Sequence, residues 1–222
     1  VNPDAVNPDA VNPDAVGPDA VDPDAVNPDA VGPDDVNPDA VGPDDVNPDA
    51  VGPDDVVAAG AQLGRPVRGM LGVAHRCPCG NPDVIVTAPR LDDGTPFPTT
   101  FYLTCPRAVS AIGTLEASGL MREMTRRLLA EPGLAAKYRA AHEDYLRRRA
   151  AFGDVPELSG VSAGGMPDRV KCLHVLVAHA LAVGPGVNPL GDEALAALGE
   201  WWAGGPCATT TAAGPDPGPP AG

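Results

Sequence analysis

Apolar and polar positions along this chain change period several times. Leu71, Val73 and His75 alternate with Gly72, Ala74 and Arg76, a period of two that predicts a strand opening near Met70. Continuing that parity carries Cys77 and Cys79 to one side, so two thiols can converge on one ion. Residues 83–88 (DVIVTA) predict a second strand, with Asp92-Asp93-Gly94 as the turn after it. Residues 99–104 (TTFYLT) predict a third. Phe101, Leu103 and Cys105 share its apolar face, which points Cys105 inward.

The remaining periodicities are helical. Asp55 is the expected cap of a short helix over residues 56–63, ended by Gly64. Pro106 suits the first position of a helix running to residue 118 before Gly119. Residues 120–130 and 134–150 predict two more, separated by Glu131-Pro132-Gly133, with Glu123 and Arg127 paired at i, i+4. A loop over 153–165 leads to a helix expected over 168–183. A last helix is expected over 192–202, with Leu195, Leu198 and Trp202 as its apolar stripe and the tryptophans as packing residues. Three short strands followed by about five helices predict an α+β fold, a small antiparallel three-stranded sheet packed with helices.

The ends of the chain lack such patterns. Residues 1–55 are eleven copies of V-[N/G/D]-P-D-[A/D], with fifteen Asp and no Lys or Arg. Ordering five residues costs roughly 5 to 10 kcal/mol, whereas burying one Val and one Ala returns about 2 to 3 kcal/mol. Disorder is the expectation for the repeat, as it is for the Pro/Gly-rich tail over 208–222. Residues 56–207 are then one globular domain.

Charge sharpens this division. The formal net charge is −15, and the fifteen Asp of the repeat account for all of it. The folded part is neutral. Arg122, Arg126, Arg127, Arg147, Arg148 and Arg149 therefore read as solvated helix faces, and no nucleic-acid partner is expected. No leader pattern opens the sequence, and the longest apolar run is too short to span a bilayer. A cytoplasmic location is expected, where five cysteines suggest metal or redox chemistry rather than disulfides.

The primary candidate ligands are Cys77, Cys79, Cys105 and Cys172, with His75, His174, His179 and Cys207 in reserve. Cys105 and Cys172 lie at expected helix starts, where the helix dipole favours a thiolate. A tetrathiolate site would tie the first hairpin to two helices remote in sequence. The spacing matches no standard zinc finger, and the Cys-Pro pairs at 77–78 and 105–106 resemble cluster-binding loops. Zinc and an iron–sulfur cluster both remain open, against the plainer alternative of separately buried cysteines packing as small hydrophobes. A different function class comes from SAGGMPDRVK: Ser162, Gly164, Gly165, Arg169 and Lys171 beside a helix start offer an anion seat for a phosphorylated ligand, weighed against an ordinary flexible connection. A cysteine nucleophile is disfavoured. On one helix His174 faces away from Cys172, and His179 lies two turns off.

At HRCPCGNPDV, TPFPTTFYLTCP and SAGGMPDRVKCLHVLVAHALAVGPGVNPLGDEAL the chain resembles the domain-of-unknown-function 501 family, found mainly in actinobacteria. The resemblance runs over residues 56–207 and leaves out the repeat. It brings no catalytic assignment. Its genes often neighbour those of a septum-formation initiator and an exopolyphosphatase-like enzyme, which implies a cell-division or phosphate-metabolism partner and adds a non-catalytic adaptor in cell division as a third class.

Overall fold

Strand pairing follows the period of two. The computed structural model describes residues 51–208, so the disorder expected of the repeat up to residue 50 and of the tail from 209 falls outside the described residues. Three strands, β1 (Met70–Arg76), β2 (Pro82–Thr87) and β3 (Phe101–Leu103), form an antiparallel sheet in the order β1-β2-β3. Val73 faces Ile85, and Ile85 faces Tyr102. Every residue of β2 is buried, because its two faces are both covered. Val84 and Val86 join Phe101 and Leu103 in the main core. Ile85 and Thr87 look the other way, toward Leu63.

Local signals explain most helix boundaries. Helix α1 (Pro53–Leu63) begins inside the last repeat, earlier than expected. Pro53 supplies a preset φ in its first turn, and Asp55 reaches back from the third position to the Gly52 amide at 3.3 Å rather than standing as the cap itself. Gly64 ends it at φ 65°. Helix α2 (Pro106–Ala117) starts after Cys105, and α3 (Leu120–Ala130) after Gly119. Glu131 alone separates α3 from α4 (Pro132–Ala151), because Pro132 opens a helix more readily than it breaks one. A 3-10 turn at Pro156–Leu158 follows. Helix α5 (Leu173–Val183) starts later than residue 168, since Cys172 is extended at φ −152°. Helix α6 (Pro189–Leu198) starts earlier than residue 192, with the Asn188 side chain accepting from the Gly191 amide at 3.0 Å, and it stops before Gly199. Among the described residues, no helix is long and apolar enough to cross a membrane.

The core is organised around α5, whose residues Leu176, Val177, Ala178, His179 and Ala180 are buried. It packs against all three strands and against α2 and α6. At α6 the approach is so close that a Cβ on Gly191 would collide with the Leu176 carbonyl oxygen. Two of the arginines expected on solvated faces are buried instead. Arg148 donates from Nε to Asp144 at 2.8 Å, and Arg149 donates to the Leu158 carbonyl at 2.7 Å. The Glu123–Arg127 pairing also differs. Glu123 takes Arg126, and Arg127 reaches Glu193 on α6 at 2.8 Å and Glu131 at 3.3 Å.

A polar network threads this apolar centre. His179, fully buried, donates from Nε2 to Asp144 at 3.0 Å and accepts at Nδ1 from the Asn188 amide at 3.3 Å. The two contacts fix a neutral tautomer. Phe101 stacks on the same ring at 5.7 Å, and Tyr145 meets it edge-on at 5.2 Å. Burial lowers the His179 pKa; the Asp144 hydrogen bond opposes the shift without reversing it, while Arg148 adds to it and Asp192 works against it. Asp144 is desolvated too, yet His179 and Arg148 hold its pKa below the usual carboxylate value.

Two outcomes follow from this packing. Gly191→Ala should destabilise the fold by about 1 to 3 kcal/mol, as overpacking does, measured by denaturant unfolding. A depressed histidine pKa gives stability that is complete above the unfolded value of about 6.5 and lost as pH falls through it. Burial lowers His142 as well, whereas Asp192, raised by burial, works in the opposite sense. His174, whose pKa is raised to about 9, also gains stability as the pH falls over this range, so the test is made in His174→Gln, which removes that opposing group. Its melting temperature should fall between about pH 7 and about pH 5.5, and an unchanged or higher value at the acid end would contradict a neutral buried His179.

Candidate metal centre

The turn after β1 folds Cys77-Pro-Cys-Gly-Asn back on itself. The Cys77 amide donates to the Asn81 carbonyl at 3.0 Å, and the Gly80 amide to the Cys77 carbonyl at 2.8 Å. Gly80 takes φ 89°, a value that side-chain-bearing residues rarely adopt. This knuckle holds Cys77 buried and Cys79 half-buried. Cys105 is buried at the start of α2. The segment beyond α6 then returns to the same place. Arg107 donates to the Gly205 carbonyl at 2.9 Å, and Asn81 to the Ala208 carbonyl at 2.9 Å. Cys207 thereby sits with its sulfur 3.8 Å from that of Cys79. Gln62 of α1 donates to the Cys207 sulfur at 3.1 Å, and Asn81 at 3.7 Å.

Cys77, Cys79, Cys207 and Cys105 thus form a string of neighbours. Cys77 interacts with Cys79, Cys79 with Cys207, and Cys207 with Cys105. Their protonation is uneven. Burial pushes the Cys77 thiol up to about 12 and the Cys105 thiol to about 11. At Cys79 burial also acts upward, but the amides of Cys207 and Asn81 and the neighbouring thiols outweigh it, leaving the pKa below its ordinary value. Amides of Ala108 and Arg107, at the start of α2, act on Cys105 in the same downward sense. N–H donors turned toward sulfur are what a thiolate requires.

Cys172 does not join this string. Its sulfur is near Glu116, at the far end of α2 from Cys105; eleven residues of helix are about 16 Å. Cys207, held in reserve, occupies the neighbourhood expected of Cys172. Cys172 instead lies 3.8 Å from His174 Nδ1, which is 3.1 Å from Glu116 Oε1. The expectation that His174 faces away from Cys172 assumed a common helix, and the extended backbone at Cys172 removes that assumption. Glu116, Cys172 and His174 are a group that could hold a metal ion, the one trio of such residues among the described residues whose ligand atoms lie within 4.8 Å of one another. The hydrogen bond that the His174 ring donates to the Cys172 sulfur, aided by the Glu116 charge, raises the His174 pKa to about 9 against the cost of burial.

The other candidates are placed apart. His179 belongs to the core network. His75 Nδ1 lies 2.7 Å from Asp83 Oδ1, and the charge of Asp83 in turn acts on Cys77. In the SAGGMPDR loop, Ser162 bonds His142 Nδ1 at 3.0 Å. The Gly164 and Gly165 carbonyls accept from the Lys171 amide at 2.7 Å and the Arg169 amide at 3.2 Å. Gly164 and Gly165 both have positive φ, and the side chains of Arg169 and Lys171 are exposed. The first amide of α5, at Leu173, donates to Glu116 at 2.7 Å, so a carboxylate of the chain itself stands where an anion would bind.

Several participants carried no sequence signal. Gln62, Asn81 and Glu116 are ordinary polar residues in their own segments. Asp83 had one faint sign, an acidic residue opening an otherwise apolar strand.

A sequence model for a family described as a protein of unknown function (DUF501) matches residues 73–196, more than half of the chain. No curated protein and no solved structure matches.

Asp83 is fully buried, and its Oδ2 has no hydrogen-bond partner among the described residues, so His75 is its main compensation. His75→Ala should cost about 1 to 3 kcal/mol in denaturant unfolding, and Asp83→Asn in that background should recover most of the loss; a double variant as unstable as the single one would contradict the pairing.

Proposed function

The chain belongs to the DUF501 family, a membership that carries no activity with it, and we propose that it is a metal-binding protein in which Cys77, Cys79, Cys105 and Cys207 hold a structural zinc ion. The observation that supports this most is the 3.8 Å approach of Cys79 and Cys207. Zinc–sulfur bonds of about 2.3 Å in a tetrahedron put ligand sulfurs about 3.8 Å apart. Sulfurs on separate irons of a four-iron cluster stand further apart, which disfavours that cluster; two thiolates sharing one iron of a two-iron cluster match the spacing, and elemental analysis separates iron and sulfide from zinc.

Charge and burial agree with a closed site. Two buried thiols raised toward 11 and 12 are neutral without metal, and an ion replaces their protons. The string would have to contract, drawing Cys77 and Cys105 inward. Cys77 and Cys79 lie in the turn after β1 and Cys207 in the segment after α6, outside the helices, and Cys105 stands at the cap of α2. Such an ion would fasten α1, the β1–β2 turn, the start of α2 and the segment after α6 at one point. It has no open coordination position, so its role is to hold the fold rather than to react.

Elemental analysis of the full chain, purified without oxygen, is the test. Cys79→Ser and Cys207→Ser should each bind one equivalent of zinc less than the natural protein and lose the tetrathiolate cobalt(II) spectrum that Cys172→Ser retains. Should either variant fail to fold, cobalt(II) added to the metal-free natural protein still reports the site through intense thiolate-to-cobalt absorption. Zinc at a thousand times its Kd should add about 4 kcal/mol to stability. Unaltered metal content in the two serine variants, or no thiolate–cobalt absorption, would end the proposal.

A further inference from the structure

We propose a second metal site, independent of the first, in which Glu116, Cys172 and His174 bind one zinc-type divalent ion and leave a coordination position open toward an apolar cleft. Three ligand types converge there. His174 Nδ1 faces both the Cys172 sulfur at 3.8 Å and Glu116 Oε1 at 3.1 Å. In a nucleophilic triad the histidine divides its nitrogens, one to the thiol and one to the carboxylate. Here one nitrogen serves both. An ion bound to sulfur, Nδ1 and a carboxylate oxygen explains that sharing.

The outer contacts fit ligation. His174 Nε2 lies 3.3 Å from the Val109 carbonyl, and a metal-bound histidine donates its other N–H to such an acceptor, which fixes the tautomer that leaves Nδ1 free. Glu116 is oriented by the Leu173 amide at 2.7 Å. The ligands come from α2 and from the extended residue and first turn of α5, two elements held by the core. Three protein ligands plus one exchangeable position is the pattern of reactive zinc, whereas four thiolates is that of structural zinc.

The open position has somewhere to lead. Cys172 and His174 line a cleft of about 340 Å³ whose walls include Phe101, Leu103, Val109 and Val175. The ligand class that fits is a small, largely apolar molecule with an oxygen head group, one oxygen taking the open position and a second bound where the ion expands to five ligands.

Cobalt(II) titration of the full chain tests this, followed by acetohydroxamate as an oxygen-ligand probe. The natural protein should take two equivalents. Cys172→Ser and His174→Ala should take one, and Cys79→Ser should keep this site while losing the other, so failure of either site shows separately. His174→Gln, compared by circular dichroism, guards against misfolding. In Cys79→Ser, acetohydroxamate should change the visible cobalt spectrum. Equal uptake by the natural protein and by the His174 variants would overturn the site, and an unchanged spectrum would overturn its open position.

Discussion

Contact between the sulfurs of Cys79 and Cys207 brings together residues 128 positions apart. It returns the last described segment of the chain to the turn that opens the sheet. Nothing in either local structure requires this meeting. The turn at Cys77–Asn81 closes through its own backbone, and α6 ends at Gly199 before the return begins. What gathers there is sulfur, with N–H groups of Gln62 and Asn81 turned toward it. Thiols are weak hydrogen-bond partners, and burial makes their ionisation costly. Left neutral, they pack as small hydrophobes; ionised together at one point, they would require a cation.

A different solution to buried polarity holds the middle of the molecule. His179 is kept neutral between an acceptor and a donor, and both partners have a second duty. Asp144 holds Arg148, and Asn188 caps α6. One imidazole therefore links α4, α5 and the start of α6 while its ring packs on Phe101 of β3. Such a network fixes the position of α5. Cys172 and His174 lie at the first turn of that helix, so the rigidity set at its centre carries to the group at its end.

Elements with strong local signals were legible in the sequence: the three strands, the Pro106 and Gly119 boundaries of α2 and α3, and the inward side of Cys105. Their causes lie within a few residues. The Asp92–Gly94 turn was equally local, closed by the Gly94 amide on the Leu91 carbonyl. Boundaries set by proline were harder, because Pro53, Pro132 and Pro189 each open a helix and the same residue also breaks one. Cys172 and Cys207 exchanged places for a reason no periodicity contains. A helix start gave Cys172 a local rationale for a thiolate, while Cys207 stood beside a featureless tail. Only the tertiary path of residues 199–208 shows which one reaches the turn. Glu116 was silent for the same reason, since its partners stand at the start of a helix that begins 57 residues later along the chain, at Leu173.

The most direct test is anomalous scattering at the zinc edge from crystals of the full chain. The account predicts a peak bounded by the sulfurs of Cys77, Cys79, Cys105 and Cys207, about 2.3 Å from each. Four sulfurs that stay apart with no anomalous density between them, in protein supplied with zinc, would contradict it.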